Sequence, residues 1–382
     1  MNYRRLGKTE LMVSEIGFGG EWMERHNEPE VAEVIAKADE LGINILDCWM
    51  SNPEVRSSLG KALRGRRDHW IIQGHIGSTW QNGQYVRTRD VEKCKIAFED
   101  LLTRFETDYI DLGMIHFVDQ EKDWETVSSG PFFDYVMSLK NDGKIRHIGM
   151  STHNPEIALK AAKSGFIEMM LFSVKPAFDL WPATENIDDY FVDDYGEGKT
   201  GMDPIREELY RTCLQEDVGL TVMKPYAGGR LFDASRSPFG VALTPIQCLH
   251  YALTRPAVAS CLAGYDTIEH VLEAVSYETA SEEEKDYGSV LAKAPKHTFA
   301  QGQCTYCGHC KPCPKDIDIA MVNKYYDLAS IQKEAPSSIQ AHYEALSHHA
   351  SDCIHCKSCE TRCPFKVKIS DRMSLAANLF KI

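Results

Sequence analysis

The 382-residue chain has no run of eighteen apolar residues, which excludes a membrane-spanning helix. Its opening, MNYRRLGKTE, lacks the apolar core of a secretory leader, so the chain is expected to be cytoplasmic. It has no surplus of positive charge. There are 42 Lys and Arg against 56 Asp and Glu, a net −14, which argues against a nucleic-acid surface. The first apolar strand, EIGFGG, is not followed by a G-x-G-x-x-G helix start, which weakens a doubly wound dinucleotide fold. Cysteine is scarce before residue 300, where Cys48, Cys94, Cys213, Cys248 and Cys261 are scattered.

The tail is different. Eight of the 13 cysteines fall between Cys304 and Cys363. In a reducing compartment disulfides explain them poorly. They form two runs, CTYCGHCKPCP and CIHCKSCETRCP, followed by CPKDIDI and CPFKVKI, which is an internal duplication. The second run fits the bacterial ferredoxin signature C-x2-C-x2-C-x3-C-P, in which the fourth cysteine ligates the other cluster. By that logic Cys304, Cys307, Cys310 and Cys363 hold one 4Fe–4S cluster, and Cys353, Cys356, Cys359 and Cys313 hold the second. Paired CxxC units also serve zinc, but two four-cysteine runs that each close on Pro favour iron–sulfur. The tail resembles a two-cluster ferredoxin module with a helical insertion at about Ala320 to His348. From residue 300 its net charge is +2 against −16 for the rest, which suits a segment that compensates bound negative clusters.

Residues 1–280 alternate short apolar runs with amphipathic stretches. Strands are expected at Glu15–Gly19, Asn44–Asp47, Trp70–Gly74, Ile110–Ile115, Ile145–Met150, Met169–Val174, Leu220–Met223 and Ala259–Leu262. Helices are expected between them, several opening with Pro in the first turn. Eight strand–helix pairs imply an α/β chain whose body is a (β/α)8 barrel at residues 1–285, followed by a small iron–sulfur domain at 286–382. Residues 179–203, rich in acids, read as a long solvated loop at the barrel mouth.

Active sites of such barrels lie at the C-terminal ends of the strands. Those ends here carry Glu21 and Trp22, then Asp47, Cys48 and Trp49, then His75, His116, Ser151, Thr152, His153, Lys175 and Lys224. One Asp, three His and two Lys at one rim is more titratable chemistry than a core needs.

Together with YRRLGKTELMVSEIGFGG, TDYIDLGMIHFVD, GKIRHIGMSTHNPE, GLTVMKPYAGGRL and LAGYDTIEHVLEAV, these residues resemble the aldo-keto reductase family over about residues 2–280. The resemblance implies carbonyl reduction by a nicotinamide hydride, with an Asp, Tyr, Lys and His tetrad. Asp47 and His116 match that tetrad. Asn52 stands at the Tyr position and His75 at the Lys position. Asn52 cannot supply a proton, so His75 becomes the candidate acid, oriented by Asp47. Cys48 and Lys224 are substitutes for it, and Tyr85 is the alternative if the register shifts. The resemblance also implies a nucleotide site built from Ser151, Thr152, Lys224, Gly228, Gly229, Arg230, Gly264 and Asp266. Asp266 favours NADH over NADPH, because an acid repels a 2′-phosphate. Trp22, Trp49, His153 and Lys175 are the expected substrate-pocket residues.

Three readings compete. In the first, a small organic substrate is reduced in the mouth with electrons passed through the two clusters, with NADH or a flavin as converter and a ferredoxin or other carrier as donor. In the second, the barrel is an NADH-dependent carbonyl reductase with His75 as acid and structural clusters. In the third, Asp47, His75, His116 and His153 bind a metal, and the chain is a lyase, a hydrolase or a binding protein.

Overall fold

The computed structural model of the protein describes residues 1–179, 202–294, 304, 310–330, 337–363 and 366–381. The acidic stretch expected at the mouth therefore lies almost wholly outside the described residues, and so does Cys307. Eight parallel strands close a barrel: β1 (Ile16–Gly19), β2 (Ile45–Cys48), β3 (Ile71–Ile76), β4 (Ile110–Ile115), β5 (Ile145–Thr152), β6 (Met169–Ser173), β7 (Gly219–Met223) and β8 (Val258–Gly264). Strands pair in chain order, and β8 closes on β1 with Cys261 opposite Ile16. These strands are apolar almost throughout because both of their faces are covered, which fits a parallel sheet walled by helices.

Local sequence sets the helix starts. Asn27, Asp90, Asn154, Asp203 and Thr244 each accept from a first-turn backbone N–H, as N-caps do. Pro stands in the first turn of most of these helices, where its missing N–H costs nothing. Helices Pro53–Ala62 and Val91–Arg104 meet at Gly60, where a Cβ would lie 2.0 Å from the Arg104 carbonyl oxygen. Each large aliphatic side chain buried between strands and helices contributes about 1.5–3 kcal/mol.

Among the described residues, two hairpins decorate the barrel. Tyr3–Arg5 pairs with Met12–Ser14 and closes the N-terminal end, where Leu6 and Val13 pack on Ile45, Leu112 and Met169. Ser78–Gln81 pairs with Gln84–Arg87 at the opposite end, just beyond β3. Its turn is Asn82-Gly83, both left-handed (φ 53° and 77°), as a two-residue type I′ turn requires. The register sets Trp80 opposite Tyr85.

The tail has its own core around Ile317, Ile319, Val322, Val367, Ile369, Met373 and Phe380. The duplication is visible in its backbone. Cys313 and Cys363 each accept at their carbonyl from the residue three further on, Asp316 and Lys366, and both of these are left-handed. Twelve-residue helices, Ile319–Ser330 and Ile369–Phe380, follow each repeat. Arg372 joins them through Asn323 and Asp327. Helix Tyr287–Ala292 packs Tyr287 and Leu291 against barrel residues Leu231, Phe239 and Tyr251, so barrel packing runs past the seam expected at residue 285.

The tail lies on the barrel's outer wall. Leu214, near the end of helix Pro204–Gln215, packs on the tail core. Asp327 and Arg372 act electrostatically on Glu207 of the same helix. Lys324 stands near Arg4 and Arg255; burial, then these two cations, lower its pKa to about 8. Arg4 bonds the carbonyls of Leu253 and Val258 at the entry to β8, so this contact marks the closed end, away from the mouth.

Candidate active site

Strand alternation decides which rim residues can meet. On β2, Asp47 points into the barrel and Cys48 points out to the helices. Cys48 is fully buried in the outer apolar core, and burial pushes its thiol up to about 12. That corrects its expected place at the mouth. Asn52 is corrected too: its side-chain oxygen accepts from Glu54 N at 2.9 Å and caps helix Pro53–Ala62.

Asp47 Oδ1 accepts from Gln73 Nε2 at 2.8 Å and from His75 Nε2 at 2.9 Å. A carboxylate only accepts, so His75 Nε2 carries a hydrogen. His75 Nδ1 lies 2.8 Å from His116 Nδ1, and His116 Nε2 lies 2.8 Å from the Tyr85 hydroxyl. Thr221 donates to Gln73 Oε1 at 2.8 Å and anchors the inner end. The result is one unbroken chain from Asp47 through His75 and His116 to Tyr85. Asp47, His75 and His116 are buried, whereas Tyr85 is 39% exposed on the hairpin. Trp49 stacks on His116 with ring centroids 5.9 Å apart and meets Tyr85 edge-on at 5.4 Å. Burial, then the neighbouring His75, hold His116 neutral, well below the usual histidine range. Burial raises the Tyr85 phenol, with Arg87 and Arg89 opposing.

A second chain stands beside the first. Asp119 Oδ1 accepts from Thr152 Oγ1 at 2.9 Å and from His153 N at 2.7 Å. Its Oδ2 lies 3.0 Å from His153 Nδ1, and His153 Nε2 lies 3.2 Å from Lys224 Nζ. Burial pushes the Asp119 carboxyl up, but the bonds from His153 outweigh it, and the net shift is downward. Burial lowers both His153 and Lys224. Phe117 lies between the two chains, with its ring 6.1 Å from His116 and 5.3 Å from His153. Phe117 and Lys224 are both left-handed (φ 50° and 55°), strain of the kind that collects at functional sites. Glu21 also reaches this region: loss of water raises its carboxyl, and Lys224 opposes. The four residues named for a metal therefore fall into two groups, since Asp47, His75 and His116 form a line and His153 belongs to the other chain.

The expected nucleotide residues have mixed fates. Gly228 and Gly229 are successive left-handed residues (φ 64° and 81°), and a Cβ on Gly228 would meet nothing within 4 Å, an open loop of the kind that receives phosphates. Arg230 is buried beside them. Ser151 Oγ accepts from Phe117 N at 2.8 Å, and Thr152 is committed to Asp119. Asp266 Oδ1 lies 2.9 Å from His26 Nε2. Gly264 is needed by Trp22, because a Cβ there would stand 2.2 Å from the indole Cδ1. Trp22 thus folds onto the end of β8, beneath Arg25 at 3.5 Å. Lys175 is buried and donates to the Lys224 carbonyl at 3.1 Å; burial, then Lys224, push its pKa well down.

Gln73 and Asp119 join the site without having been singled out by sequence, and Tyr85, named there only as the alternative donor, stands at the end of the line. The Asn82-Gly83 pair signals the hairpin that delivers Tyr85. Gln73 shares the inward parity of His75 on β3.

In the tail, Cys313, Cys353, Cys356 and Cys359 line a single cavity with Lys315, His355 and Lys357. His355 and Lys357 are left-handed, which tightens the loop between these thiols. Cys363 Sγ accepts from Val367 N at 3.4 Å, and Cys310 and Cys304 pack in the same core. Among the described cysteines none is in a disulfide. This donor set of clustered thiols fits iron–sulfur ligation.

Fold and site together define a (β/α)8-barrel oxidoreductase with an iron–sulfur domain. The Aldo/keto reductase family model matches residues 15–242, and the 4Fe-4S dicluster domain model matches residues 258–368. The chain belongs to the aldo/keto reductase family and carries a 4Fe–4S dicluster domain at its C-terminus. The second match begins within β8, a strand of the barrel itself. Uncharacterized oxidoreductase YqkF of Bacillus subtilis is 30% identical over 288 residues, covering 72% of this chain and 90% of that protein. Aldo-keto reductase YhdN of the same organism is 29% identical over 165 residues, 41% of this chain and 48% of that protein. The solved holo form of aldo-keto reductase AKR11C1 from Bacillus halodurans aligns with a TM-score of 0.59 and 25% identity, over 79% of this chain and 99% of that one. A Klebsiella pneumoniae aldo/keto reductase solved in complex with NADP and acetate shares the fold, with a TM-score of 0.53 and 20% identity over 74% and 92% of the two chains. No described helix is long and apolar enough to cross a membrane.

Proposed function

We propose that the enzyme reduces a small carbonyl compound in the barrel mouth, with electrons entering through the dicluster domain and protons supplied by the two side-chain chains. The observation that carries this reading is the unbroken line Asp47–His75–His116–Tyr85, which ends in a hydroxyl at the mouth. In its charged form His75 is held by Asp47 and donates to His116 Nδ1. His116 Nε2 then donates to the Tyr85 oxygen, which leaves the Tyr85 proton free for the substrate oxygen. Transfer to the substrate moves one proton along each link and returns His75 to its neutral form. Burial keeps His116 neutral between transfers, as a relay requires. Tyr85 thereby takes the role that Asn52 cannot fill, and Trp49 holds the donor edge in place.

A carbonyl reduced by a hydride needs one proton from the enzyme, whereas one reduced by two single electrons needs two. The Asp119–His153–Lys224 chain is the source of the second, through a Lys224 ammonium whose pKa burial lowers. The commitment of Thr152 to Asp119 and of Asp266 to His26 further supports an electron source other than a nicotinamide nucleotide. In the domain, Cys313, Cys353, Cys356 and Cys359 would hold one cluster, and Cys304, Cys307, Cys310 and Cys363 the other. When loaded, these clusters exchange single electrons.

A second reading has its own support. The open Gly228–Gly229 loop beside Arg230 would take a diphosphate, and a neighbour of this fold was solved with NADP. A nicotinamide hydride would then do the reduction, with Tyr85 as acid and the clusters outside the reaction. Anaerobic turnover of carbonyl compounds separates the two. The first reading requires turnover with reduced viologen and little with NADH. Turnover with NADH alone, unchanged in a cluster-ligand variant such as Cys359→Ser, would establish the second instead.

A further inference from the structure

We infer that the face of the tail over Cys353, Cys356, Cys359 and Cys313 docks a small acidic protein that carries one electron at a time. The inference rests on the reading that electrons enter through this domain, and it adds where they enter and what brings them.

The two cysteine runs differ in their surroundings. In the first run Cys310 is buried, and Lys311 beside it is within electrostatic reach of His250 of the barrel. The second run faces outward. Cys356 and His355 are exposed, and Ile354 between the first two thiols of the run is 56% exposed. Ile354, Lys315 and Lys357 all line the cavity that holds the four thiols. Lys315 and Lys357 are exposed, and neither forms an ion pair among the described residues. Lys368 stands two residues from Ser370, which also lines the cavity. An apolar point with two free cations beside a redox centre is what a brief, steered encounter uses. Exposed acids flank it at Asp316, Asp352 and Asp371, of which Asp352 is engaged by His349 N at 2.9 Å.

The charge balance selects the partner. The whole chain is −14 and its first 299 residues carry −16, so the barrel repels an acidic protein, which Lys315 and Lys357 at the rim of this cavity attract locally. A basic carrier would be drawn to the barrel instead. Each encounter oxidises the carrier by one electron and reduces the domain by one. Two encounters supply a two-electron reduction.

The test uses the full-length, cluster-loaded protein under anaerobic conditions, with a bacterial ferredoxin of net negative charge as probe. Binding is measured by calorimetry at low and high salt. The native chain should bind at low salt and release at high salt. Lys315→Glu with Lys357→Glu should weaken binding at least about tenfold, and Ile354→Ala should weaken it severalfold. Lys315→Gln with Lys357→Gln should show a smaller loss in the same direction. Iron content and visible absorbance unchanged in these variants would exclude cluster loss as the cause. The idea fails if the ferredoxin does not bind at low salt, or if the double reversal binds like the native chain. Its failure is distinct from failure of the proposed function. Chemically reduced viologen bypasses docking, so turnover that survives lost docking leaves the function standing. Intact docking without viologen-driven turnover sinks the function alone.

Discussion

Replacing Tyr85 with Phe removes one oxygen and leaves the ring against Trp49. The hydroxyl is 2.8 Å from His116 Nε2, and Tyr85 is 39% exposed. Two costs follow, and they differ in size. One is a single hydrogen bond at a partly solvated site, a stability loss of about 0.5–1.5 kcal/mol. The other is the terminal proton donor of the line, and a positioned acid is worth roughly 10²–10⁴ in rate. That corresponds to about 3–5 kcal/mol of activation free energy. Tyr85→Phe should therefore lose at least about a hundredfold in kcat, with a small fall in denaturation midpoint and KM nearly unchanged. The assay is anaerobic carbonyl reduction with reduced viologen, repeated in heavy water. The native enzyme should slow in heavy water because several protons move together, and the variant should lose most of that effect. The pH profile adds a check. Burial raises the Tyr85 phenol, so no descending limb from its ionisation should appear below the ordinary tyrosine value of about 10. A Tyr85→Phe enzyme that keeps a third or more of its rate, with its isotope effect intact, would refute the relay.

Other outcomes follow from the same geometry. Asp47→Asn should cut turnover by a similar order as Tyr85→Phe, and Asp47→Asn combined with Tyr85→Phe should cost little more than either alone, because both break one line; kinetics of the double variant check this. Cys48→Ala should leave kcat unchanged and cost about 1–2 kcal/mol in urea unfolding, since the thiol sits in the outer core. Asn52→Ala should cost about 1 kcal/mol as a lost N-cap, again with kcat retained. Acid should destabilise the fold through its buried neutral histidines. Burial depresses His116 and His153, and His250 to about 3, so below about pH 6.5 the unfolded chain binds protons that the folded chain refuses. Their contribution is full above the unfolded value and drains as pH falls towards the folded one, at up to about 1.4 kcal/mol per pH unit for each group. Urea midpoints at neutral and mildly acid pH would show this, and His250→Phe should flatten the slope.

What could be read from the sequence follows from the length scale of each signal. The barrel was legible because eight apolar runs recur at helical intervals, and burial on both faces forces that composition. The iron–sulfur domain was legible because thiolates on one tight loop need fixed spacing. Asp47, His75 and His116 were legible because strand ends converge in any such barrel. Cys48 was misplaced by neglect of a rule the sequence already carried: if Asp47 faces in, its neighbour faces out. Asn52 looked like a lost proton donor, yet Asn before Pro at a helix start is itself a capping signal. Tyr85 is the harder case. Its role depends on a hairpin that folds a residue from beyond β3 back over His116, a contact set by tertiary packing. The sequence offered Asn82-Gly83, which predicts a turn, and the pairing of Trp80 with Tyr85 follows from it. It did not offer the direction in which the hairpin leans. That direction turns on Ser78 Oγ, which donates to the Trp49 carbonyl at 2.6 Å, and on Arg87 and Arg89, which donate to the Phe117 and His116 carbonyls at 2.7 Å each. Loss of Arg89 should therefore mimic loss of the Tyr85 hydroxyl without touching it. Arg89→Ala should lower kcat by loosening the hairpin. Arg89→Lys should restore part of it through a single bond to the same carbonyl. If Arg89→Ala keeps full turnover, the hairpin does not need this tether and the lean has another cause.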